Sequence, residues 1–272
     1  MNETSFVTLL EIVSTMAILM GFVGLTSFLS DILKIQPPPI AIGNPKRESI
    51  GALFLAAFIF IATASLEAIR FVVYRPLFQL DERPPFTVDY YDVGFSLLFY
   101  TPWIVLLLVA MKRTSQDWRS IGVSSINWRR ILLFGSLLCL LYFGIVGIFA
   151  APLSSGISVT TISLFYGMLN NSIIGTCEEL VWRGHIQTRL IAQLGSLKGL
   201  ASTSVLFAFL HFPQRYFLYS GAILEALSSV VLVIAAGLLF GYIMMKSQNV
   251  LASGVFHIIA NWTALFWSIG SF

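Results

Sequence analysis

Three ionisable groups stand within six positions of an apolar stretch: Glu178, Glu179 and Arg183 in GTCEELVWRGH, residues 175–185. A charge at a bilayer centre costs roughly 2.5–3.5 kcal/mol on insertion scales, so such a cluster needs a physical reason. Glu179 and Arg183 are spaced i, i+4 with the acid first, the favourable order for an ion pair on a helix. They read as a structural pair kept for arrangement more than for stability, because desolvation offsets the attraction. Glu178 lies about 100° further round the helix and is expected to face elsewhere. A carboxylate with no cation beside it in a low dielectric is a candidate general base near neutral pH.

Other polar residues reach the same depth. Glu178 lies eleven residues before Arg189, His211 thirteen after Lys198, and His257 eleven after Lys246. At 1.5 Å per residue all three sit roughly 16–20 Å from those basic anchors. Asn261 follows His257 by four and shares its face. A lone intramembrane histidine is an ordinary packing residue, but two level with a glutamate and an amide weaken that reading. His185 reads as a helix-end histidine. Glu11, Glu67 and Glu225 read as interfacial acids near the outer helix ends.

The elements that must hold these groups are membrane helices. The chain is 57% apolar and 11% charged, with a mean hydropathy of +0.86. Soluble domains carry about 25% charged residues, which excludes a soluble fold here. The net charge of +3 is spread over short loops, which speaks for membrane orientation and against nucleic acid. Cys139 and Cys177 are not at zinc-ligand spacing. The start MNETSF lacks a basic n-region and reads as the beginning of a retained helix.

Eight apolar segments of spanning length are expected, near 6–30, 50–73, 92–111, 130–151, 160–188, 198–217, 221–245 and 249–270. The fold class is therefore an all-α polytopic membrane bundle, one domain over 1–272. Prolines at 37–39 and 84–85 mark loops, and Pro213 breaks the sixth segment just after His211. Non-helical backbone at that depth must line protein or water, so a polar chamber is expected there. Lys112, Arg113, Arg119, Arg129 and Arg130 mark the loop after the third helix as cytoplasmic. Alternation puts Arg189, Lys198 and Lys246 on the same side, both termini outside, and Asp81, Glu82, Asp89 and Asp92 in an outer loop. The chamber then opens to the cytoplasm of a cell (inner) membrane.

Three spacings carry a resemblance. Glu178-Glu179-Leu-Val-Trp-Arg183 has the form E-E-x-x-x-R, Phe207-Ala-Phe-Leu-His211 the form F-x-x-x-H, and His257-Ile-Ile-Ala-Asn261 the form H-x-x-x-N. In this order, on separate hydrophobic segments, they resemble the CPBP family, the CAAX protease and bacteriocin-processing intramembrane endopeptidases that include type II CAAX prenyl proteases. The family core would occupy about 160–270. Gly184 also suits the pattern, while Trp182 stands where a phenylalanine is common.

The resemblance implies a glutamate-dependent peptidase without a cofactor. Glu178 and His211 would hold and activate water, and His257 and Asn261 would donate to the tetrahedral oxyanion, with Phe207 packed behind the His211 ring. Losing one oxyanion donor typically costs about 2.7–4 kcal/mol of barrier stabilisation, more than the membrane cost of one such group. The implied partners are membrane lipid and a protein or peptide substrate, extending to C-terminal processing of prenylated CAAX proteins. Three other readings stay open. One Glu and two His could hold zinc, although H-E-x-x-H is absent. Intramembrane Glu and His also suit a proton-coupled transporter, although no inverted repeat is visible. A non-catalytic bacteriocin self-immunity protein could share the fold.

Overall fold

A computed structural model describes residues 3–37, 39–80, 86–150 and 159–266, apart from the side chains of 3–16 and 149–150. The MNETSF start, Pro38, Asp81, Glu82, the 84–85 proline pair and the Glu11 side chain fall wholly or partly outside the described residues.

The described residues form helices and no strand. In chain order these are α1 (Glu3–Ile32), α2 (Pro45–Ile69), α3 (Tyr90–Arg113), α4 (Trp128–Ala150), α5 (Thr161–Glu178), α6 (Thr188–Leu194), α7 (Ser196–Leu210), α8 (Phe212–Leu218), α9 (Ile223–Ser247) and α10 (Val250–Phe266). A π turn at Arg70–Tyr74 extends α2 to Leu77, and a π-helical segment, Glu179–Gln187, joins α5 to α6. Each expected apolar segment is mainly helical over its described residues. Pro45–Leu77, Tyr90–Arg113, Trp128–Ile148 and Ile223–Ser247 are long and apolar enough to cross a membrane, while Ala17–Ile32 and Val250–Phe266 are apolar but shorter. The protein is a polytopic membrane bundle of α-helices.

Local chemistry sets several helix ends. Asn44 accepts from the Arg47 N–H at 3.0 Å, and its own N–H donates to Glu48 Oε1 at 3.1 Å, with Pro45 opening α2. Asp89 and Asp92, read from sequence only as outer-loop acids, form the capping box of α3. The break at the sixth segment is present: α7 stops at Leu210, His211 forms the turn, and Pro213 lies in the first turn of α8.

Glu67 does not reach solvent. It is buried at 4% exposure, with Arg70 Nη1 3.5 Å from its Oε1, so an i, i+3 partner offsets its burial. Glu225 is exposed, as expected.

Two apolar clusters make the core. One joins α2, α3, the π segment and α7 through Ile59, Trp103, Leu107, Trp182, Ile186 and Phe207. The other joins α1, α4, α9 and α10 through Phe22, Phe134, Leu138, Leu239, Phe240 and Phe256. The polar residues singled out above lie along the seam between them. Two glycines let the seam close. A Cβ on Gly175 would stand 2.7 Å from Ile258 Cγ1, so α5 and α10 approach closely one residue beyond His257. A Cβ on Gly184 would stand 2.6 Å from the Ile121 carbonyl oxygen, so the π segment rests directly on the turn after α3.

Candidate active site

Glu178 closes α5 and Glu179 opens the π segment. The i→i+5 turn is wider than an α turn, and such segments recur at functional sites. Here both acids meet one imidazole. His257 Nδ1 lies 3.0 Å from Glu179 Oε1, and Nε2 lies 3.7 Å from Glu178 Oε2. Glu178 makes no ion pair with Arg183, as its angle on the helix predicts, but it shares with Glu179 the imidazole of His257, whose two ring nitrogens span the angle between the adjacent acids. A carboxylate oxygen can only accept, so Nδ1 carries the proton toward Glu179 and Nε2 is the nitrogen turned to Glu178.

Glu178 has a second partner that sequence reasoning missed. The Tyr100 hydroxyl, from α3, donates to Glu178 Oε1 at 2.5 Å. Oε2 makes no hydrogen bond to the described chain. At 3.7 Å it is beyond hydrogen-bond reach of His257 Nε2, yet a water about 2.8 Å from each would bond to both. One oxygen of this carboxylate is anchored and the other is left to act.

The structural ion pair is present. Arg183 Nε lies 3.7 Å from Glu179 Oε1, with the two side chains 0% and 1% exposed. The guanidinium makes no hydrogen bond among the described residues. Aromatic faces supply the rest of its environment, with Arg183 Cζ 4.1 Å from the Phe207 ring centroid and 5.7 Å from that of Phe240. Phe240 stacks on His257 at 4.4 Å, and Phe207 meets His211 edge-on at 4.8 Å. Phe207 therefore packs against the His211 ring, and its centroid is also 6.4 Å from that of His257.

His211 and Asn261 are less buried than the rest of the group. Both are half-buried, whereas Glu178, Glu179, Arg183 and His257 are each buried. His211 makes no hydrogen bond or ion pair with Glu178. Its Nδ1 lies 2.9 Å from the Phe207 carbonyl oxygen, which can only accept, so Nδ1 is protonated and Nε2 is left free. Asn261, one turn beyond His257 on α10, makes no hydrogen bond to a described residue.

The C-terminal end of the π segment is held by a group read from sequence only as an anchor. Arg189 is fully buried. It donates to the carbonyls of Ser120 at 2.8 Å and Gly184 at 3.1 Å, and pairs with Glu48 at 3.6 Å. Gln116 bonds to both Arg189 and Glu48. The bond to Gly184 satisfies a carbonyl of the π segment, and the bond to Ser120 ties that segment to the turn after α3. His185 is buried within the segment and is not at a helix end.

Among the described residues no three His, Cys, Asp or Glu side chains are grouped closely enough to hold a metal ion. No curated protein and no solved structure matches the chain. A family model described as type II CAAX prenyl endopeptidase Rce1-like matches residues 140–263. That segment contains Glu178, Glu179, Arg183, Phe207, His211, His257 and Asn261, while Tyr100 lies outside it. Residues 140–263 of the chain are similar to the Rce1-like type II CAAX prenyl endopeptidase family.

Proposed function

We propose that the protein is an intramembrane endopeptidase in which Glu178 activates water. The observation that carries this reading is the division of the Glu178 carboxylate: Oε1 accepts from Tyr100, and Oε2, without a hydrogen-bonding partner, faces His257 Nε2 across 3.7 Å. Oε2 takes a proton from water as the water oxygen attacks the scissile carbonyl carbon. The proton then passes from Glu178 to the leaving amide nitrogen as the C–N bond breaks. His211 Nε2, free because Nδ1 is committed to Phe207, holds the water. The Asn261 amide, with a His257 that carries a proton on Nε2 as well as on Nδ1, stabilises the oxyanion, which fits an amide that no neighbouring residue has claimed.

The substrate is a protein or peptide whose lipid chain lies in the bilayer, a prenylated C-terminus in the reading closest to the family. A groove of about 330 Å³ between α2 and α7 supports this, lined only by apolar side chains that include Ala56, Phe60, Trp182, Phe209 and Leu210. Trp182 adjoins Arg183 and Leu210 adjoins His211, so an apolar chain there would lie beside the site. The site faces the cytoplasmic side of a cell membrane, as the basic loops suggest. No cofactor is required.

The test is Glu178→Gln in purified, reconstituted protein, assayed on prenylated and unmodified peptides. Hydrolysis should fall about 10²–10⁴-fold with the fold intact. Cleavage retained by a folded variant would remove Glu178 as the base. Chelation should leave the parent rate unchanged; loss that stoichiometric zinc restores would turn the mechanism to a metallopeptidase. Ion flux or immunity that survives Glu178→Gln, with no proteolysis by the parent, would assign the fold to transport or protection.

A further inference from the structure

We infer that Tyr100 is the positioning residue for the Glu178 carboxylate, so that the working site extends beyond the family-matched segment into α3. The inference rests on the reading of Glu178 as the base. Among the described residues the Glu178 side chain has one hydrogen bond, from the Tyr100 hydroxyl at 2.5 Å. The phenol is held rigidly: Phe99 and Trp103 meet its ring edge-on at 5.0 and 4.9 Å, and Tyr100 belongs to the apolar core that also holds Trp182 and Phe207. Such packing leaves the hydroxyl little freedom, so it selects the orientation of the acid and not the reverse.

The consequence is geometric. With Oε1 tied to α3, the carboxylate cannot rotate, and Oε2 is kept on the side of His257 Nε2. An unanchored carboxylate in that space could turn toward the Arg183 guanidinium, whose three nitrogens lack hydrogen-bond partners among the described residues. A direct pair with Arg183 would draw the base out of position. Tyr100 thus keeps the two adjacent acids in separate tasks, with Glu179 balancing Arg183 and Glu178 left for chemistry. It acts through Glu178 and need not touch substrate.

Tyr100→Phe removes the hydroxyl and keeps the ring. The expected result is a kcat lowered about 10- to 100-fold with KM within twofold, because substrate contacts are untouched while the base loses its orientation. Replacing Tyr100 with 3-fluorotyrosine, which restores a donor, should bring kcat back to within a few-fold of the parent. A kcat per folded molecule within threefold of the parent for Tyr100→Phe would overturn the inference. So would equal losses in the phenylalanine and fluorotyrosine proteins, or a phenylalanine variant that does not fold, since each assigns the residue to packing. Glu178→Gln is measured alongside. If it keeps activity, the reading of the base fails; if it is inactive while Tyr100→Phe is not, only the role of Tyr100 fails.

Discussion

Glu179 and His257 are joined by a 3.0 Å hydrogen bond that ties the π segment to α10. The same carboxylate oxygen lies 3.7 Å from Arg183, so one acid steadies both an imidazole and a buried cation. Glu179→Gln keeps the shape but leaves Arg183 uncompensated. Stability should fall by about 3–5 kcal/mol, the usual cost of breaking a buried pair from one side. Glu179→Leu combined with Arg183→Met removes both charges and should recover most of that loss, although activity would not return because His257 loses its orientation. Denaturant unfolding of the three variants in one detergent provides the check. A single variant as stable as the parent would show that the charges are not mutually dependent.

Gly184→Ala tests the seating of the π segment. The added methyl would stand 2.6 Å from a backbone oxygen, Ile121 O, and 3.2 Å from Val250 Cγ1. A backbone atom cannot swing aside as a side chain can, so the segment must shift. Overpacking of this kind costs about 1–3 kcal/mol. Activity should fall further than stability, since Glu179 and Arg183 belong to the moving segment. Unfolding midpoint and kcat measured together would decide it; an unchanged kcat would mean that the register of the segment does not matter to the chemistry.

Much of this arrangement is legible in the chain itself, and the gaps have physical causes. The eight helical segments follow from apolar length, and the break after His211 follows from the missing N–H of Pro213. The Glu179–Arg183 pair follows from i, i+4 spacing. The π segment does not, because one i→i+5 turn has no compositional signature. The angle between Glu178 and Glu179 was therefore read on α geometry, and the sharing of His257 was missed. Tyr100 did carry a signal. It lies twelve residues before Lys112, about 18 Å along a helix, the same depth as Glu178 and His257. A tyrosine among many aromatic residues in an apolar helix does not stand out until depth is compared. The burial of Arg189 is not legible either, because a basic residue at a helix end is usually an anchor in the headgroups, and only packing against Ser120 and Glu48 reveals it.

Arg189→Lys would separate charge from geometry. A lysine keeps the cation for Glu48 but cannot reach the Ser120 and Gly184 carbonyls together as the guanidinium does. The loss should be about 1.5–3 kcal/mol for the abandoned charged hydrogen bonds. Arg189→Met should cost more, because Glu48 also loses its partner. Faster amide hydrogen exchange across residues 184–190 in the lysine variant, with exchange elsewhere unchanged, is the expected signature. Uniform exchange would place the effect in global stability.

Asn261 offers the cleanest separation of stability from chemistry. It is half-buried and makes no hydrogen bond to a described residue, so Asn261→Ala leaves no buried partner unsatisfied and should change the unfolding free energy by less than about 1 kcal/mol. If its amide meets the oxyanion only as charge develops there, kcat should fall about 10²–10³-fold while KM changes little, because an interaction absent from the ground state cannot weaken substrate binding. Asn261→Asp is the sharper variant: it has nearly the same shape but replaces the amide donor with a group that repels the oxyanion when ionised, and it should be at least as damaging as alanine. A KM increase without loss of kcat would instead make Asn261 a ground-state binding residue, leaving oxyanion stabilisation to His257 alone.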